Sequence, residues 1–98
     1  MSRRLVVRRE AEADAAQAFR WYEERRPGLG EEFLGVVDNA LAVIERSPET
    51  FSRVHKEVRR VLTRRFPFAV FYVVTPDTVS VLAILHQASD PERWKNRL

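Results

Sequence analysis

Two long apolar segments joined by a short polar turn constrain the fold of this chain more than any other feature. They cover residues 66–74 and 79–85, and both are apolar at nearly every position, as in strands buried on both faces. Thr75-Pro76-Asp77-Thr78 lies between them, with proline at the second position of a turn. The pattern predicts two central antiparallel strands. Pro67 cannot donate a ladder hydrogen bond and is expected where the first of them begins.

Periodicity predicts one strand and two helices ahead of this hairpin. Leu5-Val6-Val7 is a short apolar run typical of a buried strand. Apolar residues then recur at spacings of three and four over residues 10–22 and again over residues 33–44. Pro27-Gly28 and Ser47-Pro48 end the two helices. The short link between the helices predicts a helical hairpin.

The remaining residues complete an α+β fold. Charged and apolar residues alternate over 57–65, which predicts a strand at an edge or beside a groove, whereas residues 53–56 are expected to form a loop. Ser89-Asp90-Pro91-Glu92 is a helix start, and Trp94 is the apolar anchor of that short helix. The predicted order is βααβββ with a short C-terminal helix. A helical hairpin packs on a mostly antiparallel sheet in one small domain, residues 1–98.

Composition excludes several classes of function. Apolar residues make up 45% of the chain and charged residues 32%, as in ordinary globular domains. There is no cysteine, and only two histidines occur, so we expect no disulfide, no thiol nucleophile, no metal site and no cofactor. No run approaches the roughly 20 apolar residues that span a bilayer, and no signal peptide is evident. A cytoplasmic protein without a membrane partner is therefore expected.

Charge is segregated along the chain. Residues 10–49 contain ten acids and four arginines, a net charge of −6. Because the whole chain has a net charge of +3, the remaining residues carry +9. Cations are densest over residues 53–65, where Glu57 is the single acid. Such a cluster produces a positive potential suited to anions or an acidic protein. The alternative is a solvated strand face in an arginine-rich chain.

A few side chains are candidates for chemistry. His86 ends the last strand and can act as a general acid or base, with Arg64 or Arg65 as a phosphate ligand. Alternatively, His86 hydrogen-bonds to the terminal turn and packs beside Trp94. Tyr72 is expected in the core. The helical acids are expected on the solvent-exposed face rather than at a metal; they are Glu12, Asp14, Glu23 and Glu24.

Several segments, in this order, resemble the RelE/ParE superfamily of bacterial toxins from type II toxin–antitoxin systems. They are residues 10–14, 21–23, 30–33, 64–72 and 86–94, with sequences EAEAD, WYE, GEEF, RRFPFAVFY and HQASDPERW. The resemblance covers nearly the whole chain. It implies the small α/β fold described above, a cognate antitoxin, and growth arrest when the toxin is free.

The superfamily has two branches with different targets. RelE-like members cleave messenger RNA in the ribosomal A site, whereas ParE-like members bind DNA gyrase. In RelE-like enzymes an arginine follows an aromatic residue of the central strand, but here Ala69 follows Phe68. Basic residues also follow the last long strand of those enzymes, and here Gln87-Ala88-Ser89 takes their place. Both departures favour the ParE-like branch.

Three functions stay open, and each uses a different residue set. A gyrase-binding toxin has no favoured catalytic residue, and its candidate target contacts are Arg60, Arg64, Arg65, His86, Arg93 and Trp94. A ribosome-dependent endoribonuclease uses Arg59, Arg64, Arg65 and His86 as its catalytic and phosphate-binding set. A simple nucleic-acid-binding module uses the same arginines with a strongly salt-dependent affinity. In each case an acidic antitoxin segment is expected to bind by strand addition and groove packing.

Overall fold

Eight secondary-structure elements occur within residues 3–98, the part of the chain that the computed structural model describes. They are β1 (Arg4–Val7), α1 (Arg9–Arg25), α2 (Leu29–Arg46), β2 (Arg53–His55), β3 (Val58–Leu62), β4 (Phe68–Val74), β5 (Thr78–His86) and α3 (Glu92–Lys95). The sheet order is β1-β5-β4-β3-β2, with β1 parallel to β5 and the other neighbours antiparallel. The predicted α+β architecture is confirmed, with the hairpin of β4 and β5 at the centre of the sheet.

The helical hairpin covers one face of the sheet through an aromatic core. The ring of Phe33 lies 5.3 Å from that of Tyr22 and 4.8 Å from that of Phe68, so α1, α2 and β4 meet at one cluster. Tyr72 is fully buried, and its hydroxyl donates to the Pro48 carbonyl at 2.7 Å. Its expected place in the core is confirmed.

A second, smaller core lies on the opposite face and is closed by α3. Trp94 stacks on Phe71 with ring centroids 4.5 Å apart and is 7% exposed. The Asp90 carboxylate accepts the amide N–H of Glu92 at 3.0 Å where α3 begins. Both the predicted start of this helix and its tryptophan anchor are confirmed. The other buried members of this core are Val58, Ala69, Leu82, Ala83 and Leu85.

Strand β2 was not predicted, and the loop expected over residues 53–56 is wrong. The three residues of β2 have no alternating apolar pattern, and two of them are exposed. They form a strand because a tight turn places Arg53 opposite Arg59 and His55 opposite Val58. The strand therefore depends on pairing with β3 rather than on burial of its own side chains.

Strand β3 is shorter than its charge alternation predicts. It ends at Leu62 and a turn follows, in which the Thr63 hydroxyl donates to the Phe66 carbonyl at 2.6 Å. Arg65 has a φ of 69°, in the left-handed region that no strand residue adopts. The turn places Arg64 and Arg65 at an end of the sheet.

The link between the helices is held by a glutamate that was expected to be a solvated acid. The Glu23 carboxylate accepts the amide N–H groups of Gly28 at 2.9 Å and Gly30 at 3.0 Å. Gly28 has a φ of 91°, which glycine adopts without strain. Glu23 thereby satisfies two amides at the start of α2 and complements the positive end of that helix.

Asp14 is also not the exposed acid that was expected, because it is 7% exposed beside the edge of β5. Strand β1 ends early, and its last contact with β5 is the Arg8 amide N–H donating to the Val81 carbonyl at 3.0 Å. Beyond that point the Asp14 carboxylate accepts the Ile84 amide N–H at 3.0 Å. The Arg97 guanidinium donates to the Leu82 carbonyl at 3.1 Å and also pairs with Asp14. The two side chains thus replace the missing strand.

Candidate interaction site

Four of the predicted target contacts lie at one end of the sheet. We call them the basic rim; they are Arg64, Arg65, His86 and Arg93. The turn over residues 63–67 carries the first two, and β5 ends at the third. The Gln87 amide N–H donates to the Pro67 carbonyl at 2.8 Å, so this turn adjoins the segment that leads to α3. All four side chains are exposed, which makes this end of the molecule positively charged.

Arg65 forms an ion pair with Glu32 at the surface, where solvent screens the attraction. Its guanidinium lies 2.7 Å from one oxygen of Glu32, and that of Arg26 lies 3.1 Å from the other. The hydrogen bonds from Arg65 and then Arg26 lower the pKa of Glu32. Because the Arg65 side chain is 65% exposed, this ion pair is a weak restraint. Arg65 can therefore exchange Glu32 for a carboxylate of a binding partner.

His86 makes one of the two contacts predicted for it. Its Nδ1 accepts the amide N–H of Ala88 at 3.0 Å, which confirms the hydrogen bond to the terminal turn. Its ring packs edge-to-face on Phe68 at 5.5 Å. The expected packing beside Trp94 is wrong, since Trp94 contributes to the core on the other face of the sheet. With Nδ1 as an acceptor, the neutral ring carries its proton on Nε2.

Arg59 does not join the basic rim. Its guanidinium donates to the Phe51 carbonyl at 2.6 Å, which ties the loop after α2 to β3. Its register partner on β4 is Tyr72, four residues from the partner of His86, a separation of about 13 Å along a strand. The structure therefore brings three members of the predicted ribonuclease set to one end and places the fourth elsewhere.

The remaining predicted contacts lie on the face of the second core. Arg60 is exposed and stands opposite Phe71 in the register of β3 and β4. Trp94 is buried against Phe71, so its ring is a packing group in this conformation and not part of the exposed surface. Ala69, the position of the arginine in RelE-like enzymes, is 1% exposed in the same core.

An apolar groove lies between α2 and β3, the strand that was expected at an edge or beside a groove. It encloses about 500 Å³, and Leu62 on its border is 51% exposed. The apolar residues of this α2–β3 groove are Val36, Ala40, Val43, Phe51, Val61 and Leu62. The signal in the sequence was Leu62 itself, an apolar position within a run of charges. The groove opens beside Arg64 and Arg65 and so extends the basic rim toward the helices.

Two further kinds of site are absent from residues 3–98. No three histidine, aspartate or glutamate side chains in that range are grouped so that they could hold a metal ion. Within the same range, no helix combines the length and apolarity needed to cross a membrane.

A helical hairpin on a mostly antiparallel sheet, with a cationic end, is the architecture expected of a toxin in the RelE/ParE superfamily. The chain belongs to the ParE toxin family, because residues 5–91 match the family model described as "ParE toxin of type II toxin-antitoxin system, parDE". The predicted superfamily and the predicted ParE-like branch are both confirmed.

Individual relatives agree with this assignment. Toxin ParE2 of Mycobacterium tuberculosis, from strains CDC 1551 / Oshkosh and ATCC 25618 / H37Rv, is 29% identical over 92 residues, covering 93% of this chain and 88% of the relative. A solved structure titled "Chromosomal ParDE TA system from P. aeruginosa" has a TM-score of 0.77 at 17% identity, covering 87% of this chain and 96% of that one. The structural match shows that the fold is shared.

Proposed function

We propose that this chain inhibits growth by binding DNA gyrase through the basic rim, that it breaks no bond itself, and that a cognate antitoxin neutralises it. It acts in the cytoplasm. Membership of the ParE toxin family supports the toxin role. The basic rim is an exposed, positively charged surface of the kind that binds acidic protein surfaces.

The observation that carries the choice of mechanism is the separation of Arg59 from His86. General acid–base cleavage of RNA needs the acid, the base and the phosphate ligand within hydrogen-bond reach of one substrate. Arg59 instead donates to the Phe51 carbonyl, and buried Ala69 stands where RelE-like enzymes have an arginine. Both features favour target binding over RNA cleavage.

The gene expressed alone tests this proposal. DNA synthesis and protein synthesis are followed separately by pulse labelling, and purified chain is added to gyrase in a supercoiling assay. The expected result is an early block in DNA synthesis and inhibition of supercoiling. An immediate stop in translation with cleaved messages would contradict it and favour the ribosome-dependent endoribonuclease. Tight, salt-sensitive binding to DNA or RNA without gyrase would favour the nucleic-acid-binding module.

The antitoxin is proposed to bind the α2–β3 groove and the free edge of β3. Strand β2 pairs only with the start of β3, at Val58 and Arg59. The Thr63 amide N–H donates to the Phe68 carbonyl at 2.9 Å, so the backbone groups of Leu62 point away from β4 toward the open edge. An acidic segment can pair with this edge, place apolar side chains in the groove and reach the basic rim.

A charge introduced into the groove tests the antitoxin site. Val43→Asp is expected to weaken antitoxin binding, because it places a carboxylate on the α2 wall of the groove, where the partner supplies apolar side chains. The variant remains toxic when expressed alone but escapes neutralisation in co-expression. Leu98→Asp is the matched control, since Leu98 is 53% exposed at the C-terminus and lies outside the groove. Equal neutralisation of both variants would place the antitoxin elsewhere.

A further inference from the structure

A second apolar groove lies between α1 and the end of β5, on the other side of the helical hairpin from the α2–β3 groove. It encloses about 470 Å³. Its main side chains are Ala18, Trp21, Tyr22, Phe68, Ile84 and His86, and we call it the α1–β5 groove. Trp21 forms one wall and is 50% exposed, a large apolar area for a monomeric surface.

The groove exists because β5 extends beyond the end of its neighbour β1. Strand β1 ends at Val7, opposite Val81, and β5 continues to His86. Asp14 and Arg97 occupy the first part of the uncovered edge: Asp14 accepts the Ile84 N–H, and Arg97 donates to the Leu82 carbonyl. Their side chains do not reach the end of the strand.

Two backbone groups remain for a partner on the open edge beyond this pair, because the His86 carbonyl, which also faces it, accepts the Ser89 amide N–H at 2.9 Å. The Gln87 amide N–H donates to the Pro67 carbonyl, so His86 and Phe68 form a pair whose own N–H and C=O groups point away from β4. The Ile84 N–H already points outward to Asp14, and the Ile84 carbonyl lies on the same side. The Ile84 C=O and the His86 N–H therefore form an acceptor and a donor on the free edge.

This spacing fits a strand parallel to β5. In a parallel ladder, a residue donates its N–H to the carbonyl of the residue that precedes its partner. Its own carbonyl accepts the N–H of the residue that follows its partner. A residue opposite Leu85 would therefore bond to both Ile84 and His86, in line with β1. The residues beside it point their side chains to the face of Ile84 and His86, where the groove lies.

The charges around the groove select an acidic occupant. Arg93 and His86 line its border, and the Arg25 guanidinium stacks over the Trp21 ring at 3.4 Å from the centroid. The single acid of the lining, Asp14, is already neutralised by Arg97 at 2.6 Å. A carboxylate beside Arg93 is thus attracted, whereas a cation there is repelled.

We infer that the α1–β5 groove binds an extended acidic segment of a partner protein, which adds a short strand parallel to β5 and inserts one aromatic or branched aliphatic side chain against Trp21. The inference does not depend on the proposed antitoxin edge, because it rests on a different strand and groove. The α1–β5 groove shares His86 and Arg93 with the basic rim, but the inference does not require that the rim binds gyrase. The toxin therefore presents two separate peptide-binding edges.

The test is an NMR titration of the isotopically labelled full chain with the peptide acetyl-EDVFVDE-amide. Saturable shifts are expected at the His86 amide and the Trp21 indole N–H, with no comparable change at Val54, which lies on β2 outside both grooves. Trp21→Ala should weaken binding about tenfold, as for a central interface aromatic. Arg93→Ala should weaken it about threefold, as for an exposed charge pair. Val54→Ala, which removes an exposed apolar side chain outside both grooves, should leave binding within about twofold.

Ser89→Glu is a second variant, and it leaves Trp21 intact. It adds an acid to the border of the groove and should weaken the acidic peptide about tenfold through repulsion. Absence of binding, or equal binding by wild-type and Trp21→Ala chains that both fold by circular dichroism, would overturn the inference. Preference for acetyl-KRVFVKR-amide would overturn it too. Trp21-dependent binding of single-stranded RNA in place of the peptide, or a Trp21-dependent dimer, would assign the groove to another occupant.

Discussion

Asp14 and Arg97 lie 83 positions apart and form a bidentate ion pair, with Nη1 2.6 Å from Oδ2 and Nη2 3.1 Å from Oδ1. The same Oδ2 accepts the Ile84 amide N–H at 3.0 Å. The hydrogen bond that Arg97 donates to Asp14 raises the pKa of Arg97, with burial acting in the opposite direction. One carboxylate therefore joins the first helix, the edge of the sheet and the C-terminal segment.

Removal of this carboxylate should be strongly destabilising. Asp14→Ala leaves the Arg97 charge partly buried and the Ile84 N–H without its acceptor, which should lower the free energy of unfolding by about 3 kcal/mol. Urea denaturation followed by circular dichroism measures the change. Glu12→Ala is the control, because Glu12 is exposed on the same helix and should change stability by less than about 0.5 kcal/mol. Equal midpoints for the two variants would show that the ion pair does not support the fold.

The basic rim should be needed for toxicity but not for folding. Arg64→Ala together with Arg65→Ala should raise survival on induction about tenfold or more, because two cations of the proposed target surface are lost. Colony counts after induction measure survival, and thermal melts check the fold. Arg20→Ala with Arg46→Ala removes the same charge from exposed helix positions and should stay toxic. A fully toxic rim variant would remove this pair from the target surface.

The two tryptophans should differ in solvent access. Trp21 is 50% exposed and Trp94 is 7% exposed, so acrylamide should quench the fluorescence of the first strongly and of the second weakly. Trp94→Phe leaves the exposed fluorophore and Trp21→Phe leaves the buried one, which separates their signals. Trp94→Ala should lower stability by about 3 kcal/mol or more, since its ring fills the second core. Strong quenching in the Trp21→Phe protein would mean that α3 is not docked in solution.

Two glycines of α2 should respond to alanine in opposite directions. A Cβ at Gly30 would lie 2.7 Å from the Phe19 ring and 2.8 Å from the Phe19 carbonyl oxygen, so Gly30→Ala must separate the two helices. It should lower stability by about 1–3 kcal/mol, as overpacking does. Nothing lies within 4 Å of a Cβ at Gly35, so Gly35→Ala should raise stability by about 0.5–1 kcal/mol. Chemical denaturation of both variants measures the difference in sign.

The free energy of unfolding should fall at alkaline pH because the chain's two tyrosines ionise more readily in the unfolded state. Burial raises the pKa of Tyr22 and of Tyr72, the latter despite the nearby Arg59 charge. The folded state therefore favours the neutral phenols, so this stability is fully present below the ordinary pKa of about 10 and is lost as the pH rises above it. Tyrosinate absorbance should appear only above pH 10, and Tyr72→Phe should make stability less dependent on pH there. Ionisation of both phenols at about pH 10 in the folded chain would contradict this.

The elements with a strong apolar period were predictable from sequence. Strands β4 and β5 are apolar on both faces, and Pro27-Gly28 and Ser47-Pro48 stop the two long helices close to their observed ends. Strand β2 was not predictable because its exposed residues have no pattern, and hairpin pairing with β3 creates it. Local composition therefore predicts the buried elements, but not an element that only its neighbour stabilises.

The site was only partly predictable for a related reason. Charge density located Arg64 and Arg65 at a surface, but whether Arg59 joined them depended on the carbonyls that the loop after α2 presents to β3. The burial of Asp14 was predictable from the helical period, although the acid was expected to be solvent-exposed. Asp14 lies three residues after Ala11 and four before Ala18, on the apolar side of α1. A charge on an apolar stripe indicates a buried partner, but Arg97 could be identified only in three dimensions.

The position of β1 has a consequence for how the toxin is made. Arg4 pairs with Thr78, and Arg97 contacts Asp14 across 83 positions of the sequence. Strand β1 therefore leaves the ribosome long before β5, the strand with which it pairs. The nascent chain carries an unpaired apolar strand until β5 has been made, so this edge of the sheet forms late in synthesis. Translation itself imposes a delay between the synthesis of β1 and the closure of the sheet.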